Sequence, residues 1–182
     1  CEDAEKKILE VEKLLEDKSL LKERMNPPIH GVEQIPVREM IITPKGECVL
    51  DFGEMITGWV EIILREQAEK EIRLSFGEVL QEGCFYRDNL RTAKAEFRVK
   101  GCQAGKVRPH FTYFGFRYVK VEGLENVRKE DFMAVRIMSD IEVTGNIRCG
   151  NENVNRLVEN TLRSQKCNVL EIPTACPQRD ES

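Results

Sequence analysis

Val37-Arg38-Glu39-Met40-Ile41-Ile42-Thr43, the turn Pro44-Lys45-Gly46, and then Cys48-Val49-Leu50-Asp51-Phe52 form the stretch that decides the fold of this chain. Val37, Glu39, Ile41 and Thr43 alternate with Arg38, Met40 and Ile42. That two-residue period belongs to an extended strand, in which successive side chains face opposite ways. Proline and glycine then reverse the chain. The same pattern recurs downstream. Trp59 to Leu64, Glu71 to Phe76, Phe97 to Lys100, Val107 to Phe111, Phe116 to Glu122 and Phe132 to Met138 each read as a short strand, with Gly53 and Gly58 as punctuation. No βαβ-type crossover helix interrupts them. The expectation is one antiparallel β-sandwich or barrel from about Ile35 to Ser139.

On either side the period changes. From Glu2 to Leu21, Ala4, Ile8, Val11 and Leu15 fall on one face of a charged helix, which Asn26-Pro27-Pro28 stops because neither proline can donate a backbone hydrogen bond. After Gly150, Asn151 or Asn153 can cap a second helix in which Val154, Leu157, Val158, Thr161, Leu162 and Gln165 line one side. A single helix cannot bury such a stripe alone, so it reads as the opening of an all-helical domain. Asn168 to Glu171 then lead into Pro173 and a polar loop, Thr174 to Ser182. The fold class expected is mainly β, an antiparallel β-sandwich flanked by an N-terminal and a C-terminal helix. Its parts are residues 1–30 (helix and linker), 31–142 (sandwich) and 143–182 (start of a helical domain). The chain opens on Cys1 rather than Met, so an upstream segment is expected.

With 41% apolar residues the chain can bury a real core, and no apolar run approaches the ~20 residues of a membrane helix. Its 28 basic and 32 acidic side chains are mixed along the sequence, giving a formal charge of −4. A nucleic-acid partner needs clustered Lys and Arg, and an anionic membrane surface is disfavoured for the same reason. The seven cysteines (Cys1, Cys48, Cys84, Cys102, Cys149, Cys167 and Cys176) form no C-x-x-C pair, and the histidines are only His30 and His110. No metal site is expected from such spacings, and free thiols in a reducing, cytoplasmic compartment are. Gly53 and Gly58 lie in no G-x-G-x-x-G or P-loop frame, so they are not a phosphate cradle, and no cofactor is expected.

Six blocks in order carry a resemblance. Asp51-Phe52-Gly53-Glu54-Met55-Ile56-Thr57-Gly58-Trp59 resembles D-F-G-Q-N-x-x-G-W, and Phe76-Gly77-Glu78-Val79-Leu80 resembles (F/H)-A-E-V-L. Asn89-Leu90-Arg91-Thr92-Ala93-Lys94-Ala95 matches N-L-R-x-A-x-A, and Phe111 to Tyr118 is similar to F-T-Y-H-G-F-R-Y. Ser139-Asp140, Thr144-Gly145 and Asn155-Arg156-Leu157 follow, and Pro173-Thr174-Ala175-Cys176-Pro177-Gln178-Arg179-Asp180-Glu181 is close to P-T-D-C-P-Q-R-D-E. These are patterns of the α-L-rhamnosidases of glycoside hydrolase family 78. The resemblance implies a β-sandwich followed by an (α/α)₆ barrel, and hydrolysis of terminal α-L-rhamnosides with inversion at the anomeric carbon. Its partner would be a rhamnose-containing carbohydrate or glycoside; homo-oligomerisation is left open.

The resemblance also assigns roles. Inverting cleavage needs one carboxylic acid to protonate the leaving oxygen and a second carboxylate, ~6.5–9.5 Å away, to activate water. Glu181 falls on the general-acid position and Arg179 on one that contacts the sugar. Asp180 lies beside them as a further substrate-binding residue, and its charge would raise the pKa of Glu181. The chain departs from the pattern at Ala175 (usually Asp, which helps bind rhamnose hydroxyls), at Ser182 (commonly Arg), at Glu54-Met55 and at Phe114 (in place of His). Trp59 and the aromatic run Tyr113, Phe114, Phe116 and Tyr118 are read as packing residues rather than sugar platforms, and Cys176 as structural rather than nucleophilic. The rival readings are a non-catalytic carbohydrate-binding or accessory sandwich module and a structural spacer.

Overall fold

The structure, a computed structural model, describes residues 21–23, 25–67, 70–90, 93, 95–174 and 176–178. The helix expected over Glu2 to Leu21 lies outside these residues except for Leu21 itself. The described elements are β1 (Ile29–Pro36), β2 (Glu39–Ile42), β3 (Cys48–Leu64), β4 (Ile72–Gly77), β5 (Val79–Gln81), β6 (Cys84–Tyr86), β7 (Glu96–Val99), β8 (Gly105–Val107), β9 (Phe114–Glu122), β10 (Phe132–Ser139), α1 (Glu152–Asn168), β11 (Val169–Leu170) and β12 (Ile172–Pro173). The fold is mainly β and antiparallel with a C-terminal helix, as the sequence pattern requires. Hydrogen bonds join eight strands in the order β1-β10-β3-β9-β4-β7, with β2 and β8 also pairing to β3.

β3 is the spine. Gly53 and Gly58 are expected to end strands, but they lie inside one strand of 17 residues. The reason is a bulge. β3 advances from Asp51 to Ile56 while its partner β9 moves only from Tyr118 to Phe116. The extra residues bend the strand, and Gly53, at φ 84, takes a backbone conformation that a side chain disfavours. Before the bulge β3 pairs with β2, and beyond it with β10. Gly58 is present for a different reason. A Cβ there would stand 1.9 Å from the carbonyl oxygen of Val135 on β10.

One core cluster draws on β1, β3, β4, β7, β9 and β10, with Leu50, Ile56, Ile62, Leu74, Phe76 and Phe116 fully buried. Phe76 stacks on Phe114 with centroids 4.0 Å apart and meets Phe116 edge-on at 4.9 Å; Phe52 meets Phe116 at 5.7 Å. Phe114, Phe116 and Tyr118 of the aromatic run are therefore packing residues, with Phe114 filling the place of a histidine with a core ring, whereas Tyr113, expected to pack with them, is exposed just before β9. Trp59 is half-buried beneath the Arg108 guanidinium, 5.4 Å from its ring centre.

Two of the sequence motifs meet in the sheet. Arg117 donates two hydrogen bonds of 2.9 Å to the Asp51 carboxylate, which also accepts from the Gly53 backbone N–H at 2.7 Å. Burial would push the Asp51 carboxyl up, but the Arg117 and Gly53 hydrogen bonds outweigh it and hold the pKa below the usual value. The stabilisation from this pair is therefore present at neutral pH and is lost as pH falls through that lowered pKa. The motif letters D-F-G and F-R-Y thus describe one cross-strand clamp with a structural duty.

Three parts of the fold escaped the sequence pattern: β1, the hairpin β5–β6 and the short pair β11–β12. The strand expected over Val107 to Phe111 is found instead at Gly105–Val107, since Pro109 cannot donate a ladder bond and Phe111 takes a φ of 58. β1 pairs with β10 along its length, but most of its side chains are exposed, so it carries no alternation to read. The hairpin β5–β6 turns through Glu82 (φ 52) and Gly83 (φ 75), the two positive φ values of a tight hairpin. The six described cysteines are free thiols.

Candidate functional site

The site begins where α1 meets the sheet. Asn151 caps the helix, its side chain accepting from the Asn153 N–H at 3.0 Å. Asn155 fastens the approach, since its side chain exchanges hydrogen bonds of 2.9 Å with the N–H and carbonyl of Cys149. Val154, Leu157 and Leu162 of the expected apolar stripe are exposed, and Cys167 is the buried helix residue.

The far end of α1 is tied to β3 by three contacts around the bulge. The Thr57 hydroxyl donates to the carbonyl of Cys167 at 2.7 Å, and the Cys167 thiol donates to the carbonyl of Met55 at 3.3 Å. Burial pushes that thiol's pKa up, which keeps it a neutral donor. Glu54 lies between two arginines, 2.9 Å from Nε of Arg163 on α1 and 3.0 Å from Nη2 of buried Arg136 on β10. Arg136 pairs with Glu33 of β1 as well. Glu54, in place of the glutamine of the family pattern, therefore supplies a charge to both arginines and gives buried Arg136 a second carboxylate beside Glu33.

Beyond α1 the chain folds back over its own helix end. The Thr174 N–H donates to the Asn168 carbonyl at 2.7 Å, and the Glu171 N–H donates to the buried Ser139 hydroxyl at 2.5 Å. Pro177 and Gln178 then lie with their backbone directly against Gly115 of β9. Between the sheet, α1 and this loop is a cleft of about 380 Å³. Met55 and Glu78 line it from the sandwich, Asn160, Arg163 and Ser164 from α1, and Cys176, Pro177 and Gln178 from the loop. Glu78 accepts a hydrogen bond from the Asn89 side chain at 2.6 Å. A carboxylate, a guanidinium and several amides around a small opening suit the hydroxyls of a neutral, polar ligand.

The residues proposed for the chemistry, Arg179, Asp180 and Glu181, lie outside the described residues, as does Ala175. Their approach does not: Gln178, the neighbour of Arg179, is on the cleft wall. A larger cleft of about 550 Å³ shares no residue with this one and is crossed by the ion pairs Arg65–Asp131 and Lys70–Glu125. Among the described residues, no three His, Cys, Asp or Glu side chains gather as a metal site, and no helix is long and apolar enough to cross a membrane. Sequence reading missed Thr57, Glu54 and Gly115 as anchors. They were letters of the motifs, but their contacts join segments far apart in the chain.

Residues 41–138 match the model of the bacterial alpha-L-rhamnosidase concanavalin-like domain, and residues 142–182 that of the bacterial alpha-L-rhamnosidase 6 hairpin glycosidase domain. An alpha-L-rhamnosidase of Alteromonas sp. (strain LOR) is 30% identical over 168 residues, covering 90% of this chain and 18% of the relative. The crystal structure of the native rhamnosidase from Aspergillus terreus superposes with a TM-score of 0.79 at 36% identity, over 85% of this chain and 18% of that one. The Streptomyces avermitilis alpha-L-rhamnosidase, solved in complex with L-rhamnose, gives 0.79 at 30% identity, over 87% and 16%. This chain spans less than a fifth of the length of the curated relatives it matches. The concanavalin-like match alone covers more than half of the chain. The chain belongs to the bacterial α-L-rhamnosidase family, with the family's β domain joined to a segment of its 6-hairpin glycosidase domain.

Proposed function

We propose that this chain works as part of an inverting glycoside hydrolase that removes terminal α-L-rhamnose from glycosides, with Glu181 as general acid and Arg179 and Asp180 binding the sugar. One observation carries the reading: Pro177-Gln178, the residues just before Arg179, are clamped between β9 and the polar cleft beside α1. In sequence, Arg179, Asp180 and the proposed acid Glu181 follow directly on this held backbone. In this reading the sandwich is a platform for the acid, and the second carboxylate comes from the rest of the helical barrel. Acetal hydrolysis by this route needs only the two carboxylates and a water molecule. An acid on its own lacks both the activated water and the closed site that orients the ring.

The test is a comparison of two proteins on an aryl α-L-rhamnoside. The whole enzyme is expected to release L-rhamnose, and the 182-residue chain alone to release none above background. A whole protein that binds the glycoside without cleaving it would contradict the proposal in favour of a binding module.

A further inference from the structure

Gly115 sits between Phe114 and Phe116, whose rings pack into the core. A side chain on Gly115 would therefore project from the opposite face of β9. On that face lies the terminal loop. An ideal Cβ on Gly115 would stand 2.7 Å from the Gln178 nitrogen, 2.8 Å from the Pro177 carbonyl carbon and 2.9 Å from the Gln178 Cα. These are backbone atoms, with no rotamer by which to move aside. Ordinary contact between such atoms begins near ~3.5 Å, so a methyl group must displace the loop by something approaching an ångström. The cross-strand partner of Gly115 is Thr57, whose hydroxyl, fully buried, holds the Cys167 carbonyl at the end of α1. One register pair of the sheet thus grips both the helix end and the loop. Two residues, Arg179 and Asp180, separate Gln178 from Glu181, so the backbone spans at most about 10 Å between them.

We propose that the Thr57–Gly115 pair is the positioning element for the acid of the rhamnosidase. Gly115 sets the depth of the loop on β9, Thr57 fixes the helix end that the loop folds over, and together they set where the Glu181 carboxyl is presented. Neither residue touches the reacting atoms. The inference rests on the reading of Glu181 as the acid.

Gly115→Ala, Thr57→Val and Glu181→Gln, each made in the whole enzyme, are compared on an alkyl rhamnoside and a nitrophenyl rhamnoside. A misplaced acid matters where the leaving group needs a proton and little where it does not. Gly115→Ala is expected to lower kcat about 10–10²-fold on the alkyl glycoside and less than about threefold on the nitrophenyl one, with KM within about threefold. Thr57→Val, which keeps the shape and removes the hydrogen bond, should show the same leaving-group pattern at smaller amplitude. Equal loss on both substrates in these variants indicates general damage and overturns the proposal, as does no loss in either. If Gly115→Ala fails to fold, Thr57→Val decides alone. If Glu181→Gln loses activity on the alkyl glycoside while the other two variants match wild type, this inference falls and the acid assignment stands. If Glu181→Gln has no effect, the acid assignment falls and the inference falls with it.

Discussion

Glu181→Gln in the whole enzyme is expected to lower kcat on a natural rhamnoside by about 10²–10⁴-fold while leaving binding nearly unchanged. The amide keeps the size and hydrogen-bonding shape of the side chain but has no proton to give. The alcohol oxygen of a natural glycoside leaves poorly as an anion, so the missing proton appears in full in the barrier. A nitrophenolate leaves readily without help, and on that substrate the loss should shrink. The measurement is kcat and KM for both substrates at one pH. Equal losses on both, or none on either, would remove Glu181 from the role. The same assay applies to Ala175, where a methyl group stands in place of the usual carboxylate. Ala175→Asp should lower KM for rhamnosides if the missing acceptor weakens binding to the sugar.

Gly58→Ala is expected to be the most damaging small substitution in the sheet. Its methyl group would meet the Val135 carbonyl at 1.9 Å, an overlap that no side-chain rotation relieves. β10 must move away from β3, and Arg136, paired with Gly58 in register, must move with it. That arginine is buried and holds Glu54, which in turn holds Arg163 of α1. The overlap therefore spreads into the joint between sheet and helix. A loss of about 3 kcal/mol or more is expected, lowering the thermal midpoint by roughly 6–12 °C. Gly145→Ala is the control, since a Cβ there meets nothing within 4 Å. It should change stability by no more than about 0.5 kcal/mol. Thermal unfolding of both variants beside the wild type checks the prediction; equal midpoints would contradict the close approach of β10 to β3.

How far the sequence announced this structure depends on which force shaped each element. Val37 to Thr43 and Phe116 to Glu122 were legible because their alternation has a purely local cause, the pleat of a strand. A cap at Asn151 or Asn153 was legible for the same reason, and Asn151 fills it with a side chain that meets an N–H two residues on. β1 was not, because an edge strand with exposed side chains is held by its backbone pairing to β10. Gly53 and Gly58 were misread as strand ends because glycine looks alike whether it serves a turn, a bulge or a close approach. The proposed acid was visible only through the family resemblance; by itself, Arg179-Asp180-Glu181 is a charged cluster. The supports of its loop were invisible, because Thr57 meets Cys167 and Gly115 meets Gln178 across long stretches of chain. Contacts of that kind follow from the completed sheet and leave no trace in local periodicity.

The measurement that bears most directly on the account is proton NMR of the sugar released in the first minutes of hydrolysis of an α-L-rhamnoside by the whole enzyme. In the proposed reading an acid on the loop after α1, with a base across the ring, delivers water to the face opposite the leaving group. The first signal to grow should be the anomeric proton of β-L-rhamnose, with the α anomer following only as the sugar mutarotates. α-L-Rhamnose appearing first, as a covalent intermediate would produce, would contradict the account.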